Sequence, residues 1–208
     1  VDATGLAETA DALKALGRRT HSETVDVADA PAMQHFADAT RAALRRVDNV
    51  VNNAGIGIAG PSVHVPLEAW TRILGINIRG VVHGCHVFTP RLRAGGGGGI
   101  INVCSTASFA AAPSMGPYNA SKAAVLALSE TLAAETAGAG ITVTALCPTV
   151  VKTNIFRDGR IDDSVTPLMN KWVSLTGVSA EGVAATTLKA LDKGRLYVLP
   201  QVDARLIW

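Results

Sequence analysis

Three short runs of the chain, "VDNVV" (47–51), "GIINVC" (99–104) and "ITVTALC" (141–147), are almost continuously apolar and rich in valine and isoleucine. A strand with one wet face alternates apolar and polar residues, whereas a strand covered on both faces does not. The runs therefore predict parallel strands sandwiched between helices. Helical spacing fills the intervals. Ala3 to Leu16 stops at Gly17, a helix-ending residue, and 29–44 has Asp29 as a candidate N-cap and Pro31 in its first turn. Leu67 to Arg93 reads as helix in two pieces, followed by Gly116 to Thr136 and Ser179 to Leu191. "ETVDV" (23–27) and "RLYVLP" (195–200) add two further strands, and the apolar runs extend to 47–53, 99–105 and 141–148. This alternation predicts an α/β fold with a doubly wound parallel sheet, and 208 residues suit a single domain over 1–208.

Composition narrows the function. Charged residues make up 17% of the chain, below the roughly 25% of an average domain, so much of it is expected to be buried. A net charge of +2 gives no basis for a nucleic-acid or membrane surface, and no apolar run approaches the roughly 18 residues of a membrane span. The opening "VDATGLAETADALKALG" reads as an Ala-rich helix, not a signal peptide. Cys85, Cys104 and Cys147 lie in apolar segments and read as buried free thiols in a reducing, cytoplasmic setting. His83 and His86 lack a third ligand, so no metal is expected. "GGGGG" (95–99) opens a strand and lacks the Lys-Ser/Thr of a phosphate loop, so it is expected to be a flexible surface connection.

In a doubly wound sheet, ligands bind beyond the carboxyl ends of the strands. Small and polar residues stand at every such end: Asp26-Val27, "NNAG" (52–55), "STASF" (105–109) and "PTVVKT" (148–153). The helix after the third run carries Tyr118 and Lys122, four apart and so on one face. A free tyrosine is a poor acid or base near neutral pH, and a nearby positive charge lowers its pKa. The pair is thus expected to be a tuned proton donor and acceptor. Ser105, thirteen residues before Tyr118, can hold a substrate oxygen beside the phenol.

This set resembles the short-chain dehydrogenase/reductase family in "NNAG", Asn77 of "GINIRG", Ser105 of "INVCSTAS", "YNASK" (118–122) and "CPTVVKT" (147–153), in matching order over almost the whole chain. The resemblance implies a Rossmann-type sheet binding NAD or NADP. It implies Tyr118 as general acid/base, Lys122 lowering its pKa and holding the nicotinamide ribose, Ser105 orienting the substrate, and Asn77 holding a water that relays protons to Lys122. Asp26 and Val27 would flank the adenine, and Asn53, Ala54 and Gly55 would line the cofactor cleft. Pro148, Val151 and Thr153 would face the nicotinamide. The family commonly forms homodimers or homotetramers through this helix and the one before it. The uncharged stretch from Ser105 to Tyr118, with Phe109 and Met115, together with an expected lid over 153–177 carrying Phe156 and Trp172, predicts an apolar alcohol or ketone as small-molecule substrate.

The chain departs from the family in two places. Thr149 stands where the family usually has glycine, which stiffens that turn and disfavours positive φ. The TGxxxGxG turn and the first strand are absent, so roughly three dozen residues are expected ahead of Val1, on the scale of one βαβ unit. The acidic residue that usually chooses the cofactor falls in that stretch. Val1 occupies the position where NADP-preferring members often carry arginine, which tilts the expectation towards NAD. The competing reading is a non-catalytic family member that binds a cofactor or partner as a regulator.

Overall fold

The computed structural model describes residues 2–153, 155, 160–162 and 178–208. In chain order the elements are α1 (Ala3–Ala15), α2 (Ala30–Leu44), β1 (Asn49–Asn52), β2 (Ile58–Ala59), α3 (Leu67–Leu74), α4 (Gly80–Ala94), β3 (Gly98–Val103), α5 (Gly116–Glu135), β4 (Ile141–Leu146), β5 (Arg160–Ile161), α6 (Ala180–Asp192), β6 (Tyr197–Val198) and α7 (Val202–Ile207). The main sheet has the order β1-β3-β4-β6 and every pairing is parallel; β2 and β5 form a separate parallel pair. The N-cap reading of Asp29 holds, since its carboxylate accepts the Ala32 N–H at 3.1 Å.

The continuous apolar runs are explained by two cores. Val50, Ile100 and Val143 stand side by side in register and point into a cluster with Val81, Cys85, Phe88 and Leu92 of α4 and Val125 and Leu132 of α5. Ile101 and Leu146 point the other way, onto Val183, Ala190 and Leu191 of α6. Both faces are therefore covered, and both must be apolar.

Several expectations change. Residues 23–27 form no strand: they have no ladder partner among the described residues. Instead Val25 and Val27 pack onto the first core, and the Val27 carbonyl accepts from His83 Nδ1 at 2.8 Å. A Cβ at Gly80 would stand 2.6 Å from Val27, so this glycine permits the contact. The last strand shrinks from 195–200 to two residues. The glycine run is not a loose connection at its far end. Gly98 and Gly99 open β3, and a Cβ at Gly98 (φ +155°) would meet the Asp48 carbonyl at 2.2 Å. Leu67 to Arg93 is helical, with α3 and α4 joined by a π-helical turn at Gly75–Arg79. Among the described residues no helix is long and apolar enough to cross a membrane.

Candidate active site

Asn77 sits in the middle of that π-helical turn and is buried. The wider turn aims its amide at the loop beyond β1. Oδ1 accepts the Ile56 N–H at 2.9 Å, and Nδ2 donates to the Ile56 carbonyl and to Ser121 Oγ, both at 3.0 Å. Both N–H groups are thus used, and one Oδ1 lone pair remains for a further donor. Gly55 lies beside it: a Cβ there would stand 3.3 Å from Asn77 Oδ1 and 3.7 Å from Lys122 Nζ. Asn53 and Ala54, just before it, are exposed.

Ser105 caps a 3-10 turn at Thr106–Ser108 that immediately follows β3. Its hydroxyl accepts the Ala107 N–H at 3.2 Å, while its own N–H donates to Ser108 Oγ at 3.3 Å. Ser108 in turn donates to the Lys122 carbonyl at 2.8 Å, so the serine loop is fastened to α5. Tyr118 and Lys122 occupy the first turns of α5, and both are buried. Lys122 Nζ donates to the Val103 carbonyl at 2.6 Å and lies 5.7 Å from the centre of the Tyr118 ring. Structure thus brings together Asn77, Gly55, Ser105, Tyr118 and Lys122.

The electrostatics differ from expectation. Burial pushes the Tyr118 phenol up to about 12, Ser105 pulls it the other way, and Lys122 is not among the influences. Burial lowers Lys122 itself to about 8. The ammonium is aimed at the Val103 carbonyl, and the apolar surround opposes the phenolate. Ile56, Ile58, Ala69 and Ile73 pack with Tyr118, and Met115, Ala107 and Ile155 lie half-buried against them.

The remaining expected residues sit further out. Asp26 is exposed and accepts the Ala28 N–H at 2.9 Å, closing its own turn. Pro148 accepts the Thr106 N–H at 3.0 Å, and Val151 bridges to Val178. Thr153 is exposed. Thr149 is not among the described non-glycine residues with positive φ, so the turn has adapted to its β-branched side chain. Val1 and most of the expected lid, including Phe156 and Trp172, lie outside the described residues.

Sequence reasoning missed a buried polar chain behind the site. Asn52 Nδ2 donates to Asn102 Oδ1 at 2.8 Å, and Asn102 Nδ2 donates to Ser129 Oγ at 2.9 Å. Asn52, the first of the "NNAG" pair, therefore ties β1 to β3 and α5. Asparagine inside an apolar strand run was the available signal. Ser108 was missed as well, although a serine three residues after a strand-end serine is a capping pattern.

The sequence model of the family described as "short chain dehydrogenase" matches residues 1–163. The chain belongs to the short-chain dehydrogenase family. Within it, the chain is 42% identical over 156 residues to the probable oxidoreductase EphD of Mycobacterium tuberculosis, covering 74% of this chain and 26% of that protein. It is 40% identical over 130 residues to the D-threitol dehydrogenase of Mycolicibacterium smegmatis, covering 62% of this chain and 50% of that one. It thus spans between about a quarter and half of these relatives. A short-chain dehydrogenase/reductase from Burkholderia phymatum, solved in complex with NAD, superposes with a TM-score of 0.90 at 32% identity, covering 99% of this chain and 81% of that one. The Rossmann-type parallel sheet is shared with this short-chain dehydrogenase.

Proposed function

We propose that this chain carries the catalytic centre of a nicotinamide-dependent oxidoreductase that interconverts a secondary alcohol and a ketone. The convergence of Ser105 and Tyr118 beyond the carboxyl end of β3, with Lys122 below the phenol, carries the reading. The cleft residues fit a dinucleotide: Asn53 and Ala54 are open to solvent, and Gly55 carries no side chain to crowd Asn77 Oδ1 beside them. A bound nicotinamide dinucleotide supplies the hydride acceptor or donor.

The chain's own groups handle orientation and the proton. Ser105 holds the substrate oxygen beside Tyr118. In reduction, the Tyr118 hydroxyl gives its proton to the oxygen that becomes the alcohol; in oxidation, the phenolate takes it back. Lys122 supplies positive charge and a route for reprotonation. Asn77 fixes the β1 loop and offers its remaining lone pair to a water on that route. Asp26 and Val27 lie towards the adenine end, and Pro148, Val151 and Thr153 towards the nicotinamide. Residues 1–208 act as one domain.

NAD is favoured over NADP. Val1 offers no charge for a 2′-phosphate, and the Burkholderia phymatum relative was solved with NAD. A tenfold preference for NADP in kcat/KM, about 1.4 kcal/mol in the wrong direction, would reverse this. The apolar cluster around Tyr118 favours an apolar alcohol or ketone. Because the Mycolicibacterium smegmatis relative is named for a polyol, the informative panel sets bulky apolar alcohols against short polyols. Higher efficiency with polyols overturns the apolar assignment. A symmetric dimer or tetramer through α4 and α5 completes the reading. The decisive experiment is Tyr118→Phe in the full-length protein: turnover is expected to vanish while dinucleotide binding persists. Wild-type turnover in that variant would remove Tyr118 from the chemistry. Dinucleotide binding without turnover in the unsubstituted protein would favour the regulatory reading.

A further inference from the structure

The loop that follows β4 is held from the far side by a residue outside every family motif. Gln201 stands just before α7, at the position where a short polar side chain would cap the helix. It makes no capping bond, and it is buried. Its amide turns instead to the loop. Oε1 accepts the Thr149 N–H at 3.1 Å, and Nε2 donates to the Val150 carbonyl at 3.1 Å. A single planar amide therefore satisfies one donor and one acceptor on consecutive residues, which fixes both the position and the tilt of the peptide between them. Thr149 adds a second tie, since its hydroxyl donates to Asp203 Oδ1 at 3.1 Å. The glycine that the family usually has here offers no such group.

We propose that Gln201 is a positioning residue for the dinucleotide: by pinning Thr149 and Val150 it sets where Pro148, Val151 and Thr153 meet the nicotinamide end. This rests on the proposed function, because those three residues matter only if a nicotinamide cofactor binds. Neighbouring contacts hold the rest of the loop: the Thr106 N–H holds Pro148, Val178 holds Val150 and Lys152, and Asp203 holds the Thr149 hydroxyl, while the Thr149 N–H donates to Gln201. Misplacement of loop contacts weakens cofactor binding more than substrate binding, since Ser105 and Tyr118 take no bond from Gln201.

The test is Gln201→Leu in the full-length protein, which keeps side-chain bulk and removes both hydrogen bonds. Titration with NAD and with NADP is expected to give a roughly tenfold weaker Kd for the preferred cofactor, with KM for the alcohol changed much less. Gln201→Met keeps the unbranched length, adds no charge and makes neither hydrogen bond, so the same roughly tenfold loss is expected. It carries the test if the leucine variant does not fold. Wild-type cofactor affinity in the folded variants overturns this inference alone. Failure of the unsubstituted protein to bind either dinucleotide overturns it together with the function it rests on. An equal rise in KM for alcohol and cofactor also overturns it, since general loosening of the site would produce that pattern.

Discussion

In the proposed reaction Tyr118 must be ionised to take a proton from an alcohol and neutral to give one to a ketone. Burial holds its phenol up to about 12, so the neutral form dominates near pH 7 and reduction has its acid ready. Oxidation draws on the small phenolate fraction, which grows about tenfold per pH unit below the pKa. Oxidation kcat/KM is therefore expected to climb from about pH 6 to about pH 9, while reduction stays level until about pH 7 and then falls as Lys122 loses its charge, with half lost at about pH 8. A flat oxidation profile over that range would show that another group takes the proton. At this scale the sequence was informative where spacing along one helix or loop decides position. Tyr118 and Lys122 share a face of α5, and Ser105 opens the turn that follows β3. It was uninformative about electrostatics, because the surround that raises the phenol comes from Ile56, Ile58, Ala69 and Ile73 on other elements.

Asn52, Asn102 and Ser129 join three elements, and Asn102 and Ser129 are buried away from water while Asn52 is half-buried. Asn102 is fully buried and is the middle member, supplying the acceptor for Asn52 and the donor to Ser129, whose own hydroxyl donates to the Val125 carbonyl at 2.7 Å. Asn102→Ala leaves Asn52 and Ser129 each short of a partner and opens a small cavity. The expected cost is about 2 kcal/mol or more, since a buried polar group left unpaired costs roughly 1–3 kcal/mol. Thermal unfolding followed by circular dichroism reads this directly, and an unchanged Tm would mean the chain is not structural. The same elements show why some strands were legible and others were not. β3 and β4 are covered on both faces, so their apolar runs announce them. "ETVDV" has strand chemistry but no neighbour to pair with among the described residues, and pairing is not written in local sequence. The glycine run misled for a related reason. Its conformational freedom suggested looseness, but Gly98 is needed for a close approach to the Asp48 carbonyl, a contact between segments fifty residues apart.

At the scale of the whole molecule, α4 and α5 present a face that the sheet does not cover. Ala123, Ala127 and Ala134 are exposed along α5, and Val82 is 41% exposed on α4. A shallow pocket between the helices is lined by Val82, Cys85, His86, Thr89, Leu128 and Leu132. Small side chains let two helices approach closely, and a two-fold axis lets one apolar patch cover its own copy. A dimer through this face would bring a second α4 and α5 against the first. The prediction is a symmetric dimer or tetramer at micromolar concentration, seen by light scattering as a whole multiple of the chain mass. Ala127→Arg places a charge on the exposed α5 face, away from Tyr118 and Lys122 on the buried side. It is expected to shift the protein towards monomer while leaving its helix content unchanged. A wild-type monomer at that concentration would refute the dimer, and an Ala127→Arg variant that stays fully assembled would move the interface to another face of the molecule.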